Sequence, residues 1–143
     1  MSSTPIKISL NPGLFTVASP WLQAEDCVFK PANAFQAIGM MPVQLPEDCR
    51  IQSLRVTGQK ESGQLNVQLL RQAVTSVSAS ELIVGVDNLP AGTIDQTAPA
   101  PNTAVSKVDN DKFRYYLTAS AVFGPPPNNQ IVLYAFQITY IDN

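Results

Sequence analysis

No histidine occurs anywhere in the 143 residues. That absence removes the Ser-His-Asp and Cys-His nucleophile systems, the usual proton shuttle near neutral pH and most zinc sites. Charge is scarce too. Asp, Glu, Lys and Arg make up 14% of the chain, against roughly a quarter in an average soluble domain. The nine basic residues are scattered from Lys7 to Arg114, so no basic stripe exists to release counterions from nucleic acid or an anionic membrane. No apolar run approaches the ~20 residues that span a bilayer, and no glycine-rich phosphate loop opens a helix. The opening residues, MSSTPIKISLNP, lack the positive start and continuous apolar stretch of a signal peptide, which predicts a chain made in the cytoplasm, as suits a part incorporated into a virion. Only two cysteines are present, Cys27 and Cys49. Two free thiols in a reducing compartment are the expectation, and a bridge is the alternative.

What remains of catalytic chemistry is carboxylate. Glu25-Asp26 and Glu47-Asp48 are adjacent pairs, whose side chains point to opposite sides of an extended chain. Asp109-Asn110-Asp111 has part of the look of a calcium loop, without its glycine and distal glutamate. Turn-forming Asx residues are the expected role there. No catalytic residue, metal ligand or cofactor is therefore assigned, and the chain reads as a non-enzyme.

Twelve prolines punctuate the chain and leave few intervals long enough for a helix. Hydrophobicity instead has period two. Ile6, Ile8 and Leu10 alternate with polar neighbours, as do Leu54 and Val56, and Leu65, Val67 and Leu69. Between the last two groups, Gly58 to Gly63 reads as the loop of a hairpin. Phe113, Tyr115, Leu117, Ala119, Ala121 and Phe123 line one face of a further strand. Val132, Tyr134, Phe136, Ile138 and Tyr140 line one face of the last strand, whose other face begins apolar at Ile131, Leu133 and Ala135. A strand apolar on both faces belongs at the centre of a sheet or against a neighbouring subunit. Short strands with turn signals between them predict an all-β, antiparallel, jelly-roll-like sandwich, one domain over residues 1–143. Residues 87–107, rich in turn-formers and prolines, read as a long loop, which in a compact domain is usually functional or pinned by a partner.

Two blocks resemble a diffuse group of small bacterial and phage β-sandwich proteins. One runs from Cys27-Val28-Phe29-Lys30-Pro31 to Val43-Gln44-Leu45-Pro46-Glu47-Asp48-Cys49-Arg50-Ile51-Gln52-Ser53-Leu54-Arg55-Val56. The other joins Val108-Asp109-Asn110 and Phe113-Arg114-Tyr115-Tyr116-Leu117 to Phe136-Gln137-Ile138-Thr139-Tyr140, similar to the group's closing hairpin. The resemblance covers about half the chain and implies a jelly-roll-like framework without functional residues.

Poverty of charge, a doubly apolar final strand and a loop in need of support together predict a structural interaction module. It would be a homo-oligomer, with a trimer favoured, decorating a larger assembly such as a phage capsid, tail or fibre. Trp21, Ile94, Pro99, Pro101 and Val105 are its candidate interface residues. The alternative is a carbohydrate- or surface-binding β-sandwich that uses Trp21 and loop tyrosines as stacking platforms. Tyr115-Tyr116 and Tyr134/Tyr140 are the tyrosines that would form such a face, but Tyr115, Tyr134 and Tyr140 fall on apolar faces and are expected to be buried. Trp21 itself has three candidate roles: core cap, subunit anchor and sugar platform.

Overall fold

The computed structural model describes residues 4–77 and 79–142. Among these, eleven strands and one short 3-10 turn (Ala104–Ser106) form two antiparallel sheets packed face to face. The strands are β1 (Ile6–Leu10), β2 (Phe15–Ala18), β3 (Leu22–Gln23), β4 (Val28–Lys30), β5 (Ala37–Val43), β6 (Arg50–Lys60), β7 (Gln64–Ala73), β8 (Glu81–Val86), β9 (Gly92–Pro99), β10 (Phe113–Val122) and β11 (Ile131–Ile141). Sheet A runs β3-β4-β11-β6-β9, with β1 also pairing β11, and sheet B runs β2-β5-β10-β7-β8. This is the antiparallel jelly-roll sandwich that the alternation implies. No helix among the described residues is long and apolar enough to cross a membrane.

The core lies between the sheets. Sheet B contributes Leu65, Val67 and Leu69 from β7 and Leu117, Ala119 and Ala121 from β10, all fully buried. Sheet A contributes Leu54 and Val56 from β6 and Leu133, Phe136 and Ile138 from β11. Strand β11 is central as expected, with β6 on one side and β4 and β1 sharing the other. A β-bulge between Leu133 and Ala135 breaks its simple alternation. The extra residue turns Tyr134 outward, 42% exposed, while Phe136, Ile138 and Tyr140 face the core beside Leu133. Tyr134 therefore does not share their face, which corrects the periodic reading.

Three further expectations change. Gly58 to Gly63 is not the loop of a hairpin: β6 lies in sheet A and β7 in sheet B, so residues 61–63 carry the chain across the sandwich. The segment from β10 to β11 likewise crosses between sheets and does not close a hairpin. Alternation finds strands but does not say which strand is the partner. Residues 87–107 are also not a structureless loop. Gly92–Pro99 is strand β9, paired with β6 from Lys60↔Gly92 to Ser53↔Pro99. Beyond it, the Ala100 N–H donates to the Gln52 carbonyl at 2.7 Å and Arg50 Nη1 to the Thr103 carbonyl at 3.0 Å. The support this segment needed comes from its own chain.

One end of the sandwich is closed by polar groups. Lys30, Ile131 and Lys60 lie side by side across sheet A, and both lysines are buried. Lys30 Nζ donates to the Ala34 carbonyl at 3.0 Å, and Lys60 Nζ donates to the Gly63 carbonyl. Burial lowers both ammonium groups from the usual lysine range, an effect that Glu61 partly offsets at Lys30. Beside them the buried Asn129 holds two turns. Its Nδ2 donates to the carbonyls of Ala34 (2.8 Å) and Gly124 (3.0 Å), and its Oδ1 accepts from the Asn33 N–H at 2.8 Å.

Candidate functional site

The sequence-derived candidates do not gather into one place. Trp21 is only 4% exposed, and its Nε1 donates to the Ala119 carbonyl at 3.2 Å. It plugs the sandwich where the chain passes from β2 to β3, so it is neither a surface platform nor a free subunit anchor. Ile94 is buried between the sheets at 1% exposure, and Val105 packs against the core. Pro99 and Pro101 are exposed. Of the five candidates, Trp21 and Ile94 thus lie in the core, Val105 packs against it, and Pro99 and Pro101 stand at the surface. Asp109 behaves as an Asx turn, its Oδ1 accepting from the Asp111 N–H at 3.1 Å. Among the described residues, no group of three or more His, Cys, Asp or Glu side chains comes together in a metal-binding arrangement.

Cys27 and Cys49 are both free thiols in the structure. Burial, with added repulsion from Asp142 and Glu47, pushes the Cys49 thiol up to about 11. At pH 8 such a group is thiolate about one part in a thousand, and thiolate is the nucleophile. Cys27 is half-buried, Cys49 fully so. A maleimide or disulfide reagent at pH 8 is therefore expected to modify one thiol per folded chain, at Cys27, and the second only in denaturant. Equal rates at both positions in the native protein would show that the Cys49 region opens readily.

The outer face of sheet B has a composition unlike an ordinary solvated sheet. Inward-facing residues of β5, β10 and β7 are apolar, and strand alternation sends their neighbours outward. The registers align these neighbours into rows. One row is Pro42, Tyr116 and Leu70, and the next is Met40, Thr118 and Gln68. A third is Ile38, Ser120 and Asn66. Phe15 of β2 stands opposite Met40, and Gly85 of β8 opposite Gln68, which extends the middle row across all five strands. Four inter-strand spacings make that row roughly 19 Å long.

Hydroxyl and amide groups thus occupy the middle of the face, with Tyr116, Met40, Ile38 and the 68% exposed Phe15 as apolar ground. Charges stand at its margins and are engaged. Arg114 Nη2 donates to Gln72 Oε1 at 2.7 Å. The Asp87 carboxylate folds back over Gly85, close enough that a Cβ there would lie 3.2 Å from its Oδ2. Asn66 Oδ1 accepts from the Asn88 N–H at 2.9 Å, which fixes the side-chain amide's direction. Each hydroxyl or amide offers both donor and acceptor capacity. A face of this kind matches a ligand that carries many hydroxyls and no charge. Tyr116 is one of the tyrosines the sequence offers for a sugar face; Gln68 and Thr118 escape a reading that looks for aromatic platforms, but a signal was there. The outward positions Asn66, Gln68, Thr118 and Ser120 avoid Lys and Glu in favour of uncharged polar groups.

No family model matches the chain, and no curated protein matches it. Solved structures do. The chain is similar to the xylan-binding module CBM15, with a TM-score of 0.55 and 15% identity over 99% of both chains. It is also similar to a variant of xylanase 10C from Cellvibrio japonicus in complex with xylopentaose, with a TM-score of 0.49 and 14% identity over 93% of this chain and 26% of that one. A third is TmCBM61 in complex with β-1,4-galactotriose, at 0.45 and 12% identity over 94% of this chain and 86% of that one. At 15% identity, the first of these likenesses establishes the fold, a two-sheet jelly roll.

Proposed function

We propose that this protein is a non-catalytic carbohydrate-binding module that holds a polysaccharide chain on the outer face of sheet B. The observation that carries the reading is the charge-free stripe of Thr118, Ser120, Gln68 and Asn66 beside Tyr116 and Met40. Amide and hydroxyl side chains hydrogen-bond sugar hydroxyls in either sense, while the tyrosine ring covers the C–H face of a pyranose. The stripe sits on paired strands and not on loops, so its geometry is preset and little ordering entropy is lost on binding. The jelly-roll likeness to a xylan-binding module supports the same reading and makes xylan the first ligand to test.

Affinity electrophoresis through gels containing xylan, galactan or mixed-linkage glucan tests it, followed by titration calorimetry with soluble oligosaccharides. Retardation is expected with at least one of these polymers. Tyr116→Ala and Gln68→Ala are each expected to weaken binding about tenfold, the equivalent of ~1.4 kcal/mol. Neither should move the melting temperature by more than a few degrees, because both side chains point away from the core. Free migration of the wild-type protein in every gel would remove the proposal.

A further inference from the structure

Between the β2–β3 and β4–β5 crossovers lies an open cleft of ≈ 540 Å³. Leu22, Pro31 and Phe35 form its apolar wall, Ser19, Asn33 and Gln36 supply polar groups, and no charged side chain lines it. Phe35 is 77% exposed, an unfavourable place for a large apolar ring on a soluble surface. Its turn is nevertheless held firmly. The preceding carbonyl, that of Ala34, accepts from both Lys30 Nζ and Asn129 Nδ2, and the Asn33 N–H donates to Asn129 Oδ1. A phenylalanine projected from a turn fixed by two buried side chains is preorganised for contact.

The cleft is continuous with the stripe on sheet B. Its third row ends at the edge strand, where Ala18 stands opposite Ile38, and the Ile38 N–H donates to the Ser19 carbonyl at 3.1 Å. Gln36 precedes β5 with the same outward parity as Ile38 and donates to Ser19 Oγ at 3.4 Å. A chain lying over Asn66, Ser120 and Ile38 therefore runs off the sheet onto Ser19 and into the cleft.

Resting on the carbohydrate reading above, we infer that this cleft is an extension subsite, in which Phe35 stacks on a neutral pyranose of the chain already held on sheet B. The uncharged lining selects an uncharged ring over a uronic acid or a sulfated sugar. An aromatic wall beside amide and hydroxyl groups suits an object apolar on one face and hydroxylated at its edge. The consequence is a dependence on chain length. Short oligosaccharides fill the sheet face alone, and longer ones also reach Phe35.

The test is calorimetric titration of the full chain and its variants with a ladder of oligosaccharides of whichever neutral polymer retards it, from the disaccharide to the hexasaccharide. Phe35→Ala is expected to weaken the longest oligosaccharides by about tenfold and to leave the shortest within about twofold. Phe123→Ala is the control, because Phe123 is equally exposed at 79% and does not line the cleft. It should bind every length as the wild type does. Wild-type affinity of Phe35→Ala for all lengths would overturn the subsite and leave sheet-B binding standing. A loss shared equally by Phe123→Ala would also overturn it, since exposed apolar surface in general would then carry the effect. If the wild type binds no oligosaccharide or polymer, the carbohydrate reading itself fails and the subsite with it.

Discussion

Trp21→Ala is expected to destabilise the protein by about 3–5 kcal/mol, the range for deleting a large buried aromatic. The indole occupies space that sheet B leaves for it. Ala119 pairs with Gly39 and Ala121 with Ala37, four small residues on the inner face of two adjacent strands. A Cβ added to Gly39 would stand 3.1 Å from Trp21 Cδ1 and 3.0 Å from Leu14 Cβ. Truncation empties this space and leaves the Ala119 carbonyl without the indole N–H. Urea unfolding followed by circular dichroism gives the loss. Because Trp21 is the sole tryptophan, wild-type fluorescence offers an independent check: a blue-shifted emission that acrylamide quenches poorly. A loss below ~1 kcal/mol, or ready quenching, would return Trp21 to the surface and revive its role as a platform or anchor. The stripe proposed to bind sugar does not include Trp21, so at temperatures where the variant is folded it should still be retarded by any polysaccharide that retards the wild type.

The second large effect is expected at Gly58. This glycine pairs with Leu133 at the bulge of β11, and a Cβ there would lie 2.1 Å from the Val132 carbonyl oxygen and 3.2 Å from Leu133 Cα. Both are backbone atoms of the central strand, unable to swing aside as a side-chain tip could. Gly58→Ala must part β6 from β11 where the bulge resets the register, so the cost should reach about 3 kcal/mol, the upper range for overpacking, or more. Gly13→Ala supplies the comparison. Nothing lies within 4 Å of its added Cβ, so it should fall within about 0.5 kcal/mol of wild type. Comparable small losses for both substitutions would mean that the two strands are looser at the bulge than their pairing indicates.

The bulge also marks where local pattern stops being informative. Phe136 and Ile138 are buried as their alternation requires, since a side chain two residues away on a regular strand must face the same way. Tyr134 is not, because one inserted residue reverses the parity and no residue type in Leu133-Tyr134-Ala135 announces it. The glycine that makes room for the bulge is on another strand, 75 positions earlier. Phe123 breaks its own series for a comparable reason. Its backbone turns left-handed at φ 64 just past the end of β10, and its ring is exposed.

Strand content, the lack of α-helix among the described residues and most of the inner-face positions follow from the sequence itself. They depend on period-two hydrophobicity and on proline spacing, both local quantities. Partnering does not follow. β6 and β7 are consecutive and alternate cleanly, yet they lie in opposite sheets, and β9 completes sheet A by pairing with a strand more than thirty residues earlier. Residues 87–107 looked unsupported because their polar and proline-rich composition hides a strand whose hydrogen bonds come from β6. The candidate site belongs to the same category. Asn66 and Gln68, Thr118 and Ser120, and Ile38 and Met40 sit on three separated stretches of chain, each unremarkable alone. Only the registers of β5, β10 and β7 bring them into one uncharged face, because a side chain's neighbours across a sheet are set by strand pairing and not by sequence distance.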